Sequence, residues 1–294
     1  MYNILIWGTG HEYNHYFNCI RLLELKDQIS IVGITSNDKD INTSIDDYPF
    51  VQKEDINSLD FDYCIVAIAN MSPLIINEAE SLGIEKSKLI PIRVLSIPNI
   101  DFNEYIKLKN SHLTIFSPNC WAGVCYHRLG LEFLSPMINM FEDRDDFNKL
   151  MLNIDTYMSY PVEFVETRYE RNLKRYYPVG HLNDILLHFN HYESFDQAVS
   201  CWEKRKQRIN KNNILIVSNT NSEKTAYEFE NIPYKNKLIF TPFDVNTPSS
   251  YQLNYSDDPE KFGMFVTKTT VSSSNSILDL IAFCNHEDNY SRIK

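Results

Sequence analysis

Ile4-Leu5-Ile6-Trp7-Gly8-Thr9-Gly10 decides how the first third of this chain is read. Four successive large apolar residues suit a strand buried on both faces, and the glycines that follow suit a turn. Beyond the turn, Tyr13, Phe17, Ile20 and Leu23 recur near helical spacing, so the segment reads as strand, glycine turn, helix.

Working outward, Ile29 to Ile34 gives a second strand and Phe61 to Ala69 a third, both too continuously apolar for a strand with one wet face. Ser72-Pro73 offers an N-cap and a first-turn proline, the helix runs through Ile76, Ala79 and Leu82, and Gly83 ends it. Lys88-Leu89-Ile90 starts another strand. Strands alternating with helices imply right-handed crossovers and a parallel sheet. The expected fold class is therefore α/β, with a Rossmann-like N-terminal domain over residues 1–110 and its ligand crevice at the C-terminal ends of the strands.

A polar stretch from Asp101 to Ser111 separates this unit from a second α/β domain, residues 111–294, with the boundary near Asn110. The second domain starts with a strand at His112 to Phe116. It continues with a helix from Arg144 to Met158, a buried strand from Asp184 to Phe189, and a helix capped by Ser194. Asn213 to Ser218, Ser222 to Asn231 and Lys237 to Thr241 read as strand, helix, strand. Phe243 to Pro259 reads as a long loop and Ser276 to Cys284 as a final helix.

At 294 residues and 43% hydrophobic, the chain can bury a large core, and its net charge of -11 gives no field attractive to a phosphate backbone. Nucleic acid is not an expected partner. No stretch is apolar enough to span a bilayer, and Met1-Tyr2-Asn3 does not open a signal peptide, so a cytoplasmic location is expected. Cys19, Cys64, Cys201 and Cys284 sit in apolar runs as free thiols. Cys120 and Cys125 lack a second pair at ligand spacing, so no metal site is expected.

The Gly8-Thr9-Gly10 turn would let backbone N–H groups approach a phosphate at a positive helix end, with Ser36 beside it. Tyr13 replaces the third glycine of the dinucleotide fingerprint. Thr35-Ser36 stands where an NAD enzyme places an acid for the ribose, and Asp38 comes late. These departures favour a nucleotide sugar or another phosphorylated nucleotide over NAD.

Ser117-Pro118-Asn119-Cys120-Trp121 follows a strand directly, where an α/β domain puts its ligand loop. Ser117, Asn119 and Trp121 could hydrogen-bond and stack on a sugar, and Cys120 would be a nucleophile if a base stood near it. His188 and His191 are candidate bases that converge only if the strand ends between them. Trp202, Arg205 and Arg208 share a row at helical spacing, which suits a diphosphate or a carboxylate, or equally a solvated helix end.

Phe116 to Gly123, Leu131 to Asn139, Tyr177 to Gly180 and Trp202 to Asn210 together resemble a bacterial domain of unknown function found in exopolysaccharide biosynthesis proteins, over about residues 113–241. Ala122 stands where that family carries the first of two glycines. The N-terminal part, with Gly33-Ile34-Thr35-Ser36, is similar to Rossmann-like regions that precede sugar acyltransferases and methyltransferases of polysaccharide clusters. The resemblance implies a surface-polysaccharide pathway and not a reaction; the leading expectation is a transferase acting on a nucleotide-activated or phosphorylated sugar, with a small-molecule ligand and with self-association into a homo-oligomer allowed. A nicotinamide-dependent oxidoreductase and a non-catalytic nucleotide-sugar sensor are the rival expectations.

Overall fold

The computed structural model describes residues 1–37, 44–69, 71–170, 174–273 and 276–288; Asp38 lies outside them. The chain divides into two compact units, Met1–Ile106 and Lys107–Lys294. The division falls four residues before Asn110, inside a helix rather than in a polar linker.

In the first unit the chain runs through β1 (Tyr2–Trp7), α1 (His11–Leu25) and β2 (Ile29–Thr35), then a short hairpin of β3 (Ser44–Ile45) and β4 (Tyr48–Pro49). β5 (Tyr63–Val66), α2 (Pro73–Ser81) and β6 (Leu89–Pro91) follow, and α3 (Phe102–Asn110) crosses the division. The sheet order is β2-β1-β5-β6, all parallel. Ile4, Leu5, Ile6 and Trp7 are buried, as a strand flanked on both edges and both faces must be. One apolar cluster gathers Leu5, Trp7, Cys64, Val66, Ala79 and Leu89. Fully burying each large aliphatic side chain stabilises the fold by about 1.5–3 kcal/mol.

Because β2 pairs on one side of β1 and β5 on the other, the direction of sheet growth reverses at β1, which leaves a crevice beyond its C-terminal end. Gly8 occupies that point with φ +112°, a conformation that L side chains rarely adopt. Its N–H donates to Thr35 O at 2.8 Å, and a Cβ there would lie 3.0 Å from Ala67 O.

The second unit holds β7 (Thr114–Phe116), α4 (Trp121–Leu129), α5 (Arg144–Leu152), α6 (Ile154–Ser159), β8 (Val162–Glu170), β9 (Arg175–Leu182) and β10 (Ile185–His188). It continues with α7 (Phe195–Lys206), β11 (Ile214–Asn219), α8 (Glu223–Glu230), β12 (Lys237–Thr241), β13 (Ser250–Gln252), α9 (Phe262–Thr267) and α10 (Leu280–Cys284), with a π-helical turn at Lys268–Ser272. A parallel sheet of order β13-β12-β11-β7 and an antiparallel sheet of order β10-β9-β8 make up its strands. Phe116, Phe147, Leu187, Trp202, Ile216, Phe229 and Ile239 belong to one buried cluster. Local chemistry sets the helix starts: Ser194 Oγ accepts the Gln197 N–H and Ser222 Oγ the Thr225 N–H, both at 3.2 Å.

Several elements depart from the sequence reading. The single helix expected over Arg144 to Met158 is two, broken at Asn153, whose φ of -139° is not helical. The final helix begins only at Leu280, where Asp279 accepts the Ile281 and Ala282 N–H groups. Ser276 instead uses its hydroxyl on Thr270 O and Leu278 O, local bonds that compete with helix formation. The loop from Phe243 to Pro259 contributes edge strand β13, parallel to β12. The strand expected over Asp184 to Phe189 is β10, an antiparallel partner of β9.

A Gly8→Ala variant should lose about 1–3 kcal/mol, the usual cost of holding a non-glycine residue at positive φ. Urea unfolding measures this directly, and an unchanged midpoint would mean that the turn relaxes freely.

Candidate functional site

Among the described residues, two places combine strand ends with polar groups, one in each unit. In the first, a cleft of about 530 Å³ is lined by Trp7, Gly8, Thr9, Gly10, His11 and Ser36 on one side and by Val66 to Ala69, Ile75 and Glu78 on the other. Gly10 is the N-cap of α1, and a Cβ built on it would meet no atom within 4 Å, so the turn is open toward the cleft. Thr9 Oγ1 donates to Ser36 Oγ at 3.3 Å. Lys53 pairs with Glu78 at the rim and lies 5.5 Å from the centre of the Trp7 ring. Four of the predicted residues, Gly8, Thr9, Gly10 and Ser36, therefore share one crevice. A second hollow of about 340 Å³, along His15, Cys19 and Leu23 of α1, shares no lining residue with it.

In the second unit, β7 and β11 are parallel neighbours, so Ser117-Pro118-Asn119-Cys120 and Asn219 emerge at the same end of the sheet. Asn119 Oδ1 accepts the Trp121 N–H at 2.9 Å and the Ser117 hydroxyl at 3.0 Å, which fixes the Asn119 amide and turns the chain into α4. Arg144, the first residue of α5, clamps this end: Nε donates to Asn219 O at 2.9 Å, Nη2 to Asn219 Oδ1 at 3.0 Å, and Nη1 to Glu142 O at 3.1 Å. The Glu142 N–H donates to Pro118 O at 3.1 Å. The Glu142 carboxyl is fully buried with neither oxygen bonded. Burial, then Asp146, push it well above the usual carboxylate range.

Phe141 bridges His188 in antiparallel fashion, and the two rings stack at 4.5 Å. His188 is buried, 3.4 Å from Tyr177 Oη, and burial followed by Arg168 lowers its pKa. It is a neutral core imidazole. β10 ends at His188, and the exposed His191 beyond it brings Nε2 to 3.6 Å from Cys120 Sγ. Burial raises the Cys120 pKa, while burial and then Arg175 lower that of His191, so the resting pair is thiol and neutral imidazole. Such a pair holds a base within reach of a nucleophile, 71 residues away in sequence.

Other predicted residues sit elsewhere than the sequence reading placed them. Trp121 is 1% exposed, its indole N–H donating to Thr270 Oγ1 at 2.8 Å, and Trp202 is likewise 1% exposed. Rings so enclosed have no face for a sugar to stack on. Ser117 is also buried and acts through Asn119. Arg205 donates to Tyr192 Oη at 2.7 Å and lies over Phe133, while Arg208 pairs with Glu132 at 3.2 Å, so each guanidinium has its own protein partner. Cys125 packs 3.8 Å from Cys284, and all six cysteines are free thiols. Among the described residues no group of three or more His, Cys, Asp or Glu could hold a metal ion, and no helix is long and apolar enough to cross a membrane. Sequence reasoning missed Glu142, Arg144, Asn219 and Gly263, which gather only through the tertiary fold.

The family described as Domain of unknown function (DUF1919) matches residues 92–285, and the one described as C2185-like, N-terminal matches residues 1–90. An uncharacterized protein of Haemophilus influenzae is 36% identical over 138 residues, 46% of this chain and 64% of that protein. The chain thus spans less than two thirds of the length of this curated relative.

Two measurements check these ionisation states. The native state keeps a proton on Glu142 that the unfolded chain releases above about pH 4.3, so this group makes stability fall as pH rises from there toward its raised native pKa. The melting temperature of Glu142→Gln should therefore gain on the parent between about pH 5 and 8, and a constant difference would mean ordinary ionisation. Alkylation of Cys120 by iodoacetamide, followed by peptide mass spectrometry, should keep accelerating past about pH 8.5; a plateau near neutrality would reveal a thiolate–imidazolium pair instead.

Proposed function

The chain belongs to the DUF1919 family, and on that footing we propose that it works in exopolysaccharide biosynthesis as a transferase acting on a nucleotide-activated or phosphorylated sugar. In this reading the first unit is Rossmann-like and binds the nucleotide portion of its ligand at Gly8-Thr9-Gly10. The observation that carries it is the 530 Å³ cleft at the C-terminal end of β1, bounded by that turn, by Ser36 and by the first residues of α1. The start of α1 suits a diphosphate, because a helix end carries partial positive charge and its first N–H groups have no partner within the helix.

The cleft also supports a nucleotide sugar over NAD. Tyr13 is buried, with its hydroxyl bonded to Asp46 at 3.0 Å, and occupies the place of the glycine that would let α1 lie closest to the sheet. β2 ends on Thr35, fully buried, and Ser36, with no acid at the position that grips a ribose diol. In the second unit, Cys120 Sγ stands 3.6 Å from His191 Nε2, a nucleophile and a base available to chemistry within that unit.

The test pairs a ligand screen with one substitution. Nucleotide sugars, NAD, NADP, coenzyme A and S-adenosylmethionine are compared by thermal shift. A ligand at about 100 times its dissociation constant adds ~2.7 kcal/mol, a shift of several degrees. A nucleotide sugar should stabilise the parent, whereas Gly10→Ala should melt near the parent temperature without ligand, since its methyl meets no protein atom, yet lose most of the shift, since the residue lines the cleft. Stabilisation by NAD or NADP alone, or an equal shift in both proteins, would defeat this reading.

A further inference from the structure

Arg144 forms no salt bridge among the described residues, the Glu142 and Asp143 carboxyls acting on it only from beyond ion-pair distance. Its guanidinium is held entirely by uncharged acceptors, Asn219 O, Asn219 Oδ1 and Glu142 O, and none of the described carboxylates lies within ion-pairing distance of it. Of the acids on α5, Asp145 accepts from Thr225 Oγ1 at 2.8 Å, and Asp146 takes Lys149 and the Leu186 N–H. Three of the five guanidinium N–H donors are used by these carbonyl oxygens, which leaves two for something else.

A second donor points to the same place. Asn119 Oδ1 is committed to the Trp121 N–H and the Ser117 hydroxyl, so the opposite end of its amide, Nδ2, is a donor whose orientation is fixed. The partly exposed Gly263 of α9 locates the convergence. A Cβ at that glycine would lie 3.0 Å from Asn219 Oδ1, 3.2 Å from Arg144 Nη2 and 3.4 Å from Asn119 Nδ2. The absence of a side chain there leaves both donors approachable, at the strand ends where open α/β sheets bind ligands.

We propose that Arg144 and Asn119, exposed by Gly263, form a binding site for a phosphoryl group in the second unit. A planar carboxylate is best gripped by the Nε and Nη2 edge of a guanidinium, and Asn219 already occupies that edge. The donors that remain come from two side chains in different planes, which fits the tetrahedral spread of phosphate oxygens. This site stands on the second unit alone and does not depend on the ligand bound at Gly8-Thr9-Gly10.

The informative substitution is Asn119→Asp. It keeps the Oδ1 acceptor that caps α4 and turns the Nδ2 donor into a second carboxylate oxygen, which both repels an anion and pairs with Arg144. Isothermal titration with inorganic phosphate, a hexose 1-phosphate and acetate, at low ionic strength, is run on the full chain, on Asn119→Asp, on Gly263→Ala and on Gly10→Ala. Phosphate should still bind Gly10→Ala, in which the first unit's turn is blocked; compared with the parent, Asn119→Asp should lose at least about tenfold in affinity at the second unit's site because a carboxylate replaces a neutral donor, and Gly263→Ala should weaken there, its methyl filling the convergence point. Unliganded Asn119→Asp should melt no lower than the parent, and if it fails to fold, Gly263→Ala carries the comparison. Tighter binding of the hexose 1-phosphate than of inorganic phosphate supports a phosphorylated sugar as the source, while equal binding supports free phosphate at the same site. Undiminished binding in both Asn119→Asp and Gly263→Ala, no binding to the parent, or acetate binding as well as phosphate would overturn the proposal.

Discussion

Arg144 reaches from the start of α5 to the last residue of β11, and the backbone just before it is hydrogen-bonded to the loop after β7. A half-buried guanidinium loses hydration unless its N–H groups are met by acceptors, so this contact tolerates little slack. It fixes three chain segments that are distant in sequence at one end of a parallel sheet. The positions of Asn119, of Cys120 next to it, and of the buried Glu142 carboxyl all follow from that fastening. Phe141, bridged to the end of β10, extends it toward His188 and His191.

The first unit reaches a comparable result by different means. Its crevice is made less from charged side chains than from backbone, opened by a reversal of strand order and by glycines that keep Cβ atoms out. Gly8 is required by its own conformation, whereas Gly10 is free of any neighbour, so one maintains the turn and the other leaves room beside it. A crevice built this way presents shape and N–H dipoles rather than charged side chains. The second unit instead offers a cation, an amide and a thiol beside an imidazole.

Much of the framework was legible in the residues. The buried parallel strands announced themselves as continuous apolar runs, and Ser194 and Ser222 cap the helices that their side chains suit. The hairpin of β8 and β9 was not legible, because Glu163 to Tyr169 are exposed in β8 and give no alternating apolar face. Tryptophan misled for a related reason. Trp121 follows the Ser117-Pro118-Asn119 loop and Trp202 precedes a charged run in sequence, but each turns its ring into the core, where a large aromatic surface is worth more than a contact with a sugar.

The sequence by itself determined that this is an α/β chain with a glycine turn after its first strand, and that Asn119 and Cys120 lie in a loop leaving another strand, because period, capping and turn chemistry are local. Only the tertiary structure decided which groups meet there. Cys120 gained a base from 71 residues away, Arg144 was set against Asn219, and Gly263 was placed where a side chain would have filled the space between donors. Such meetings depend on sheet order and on helices crossing between distant segments, and no spacing along the chain encodes them.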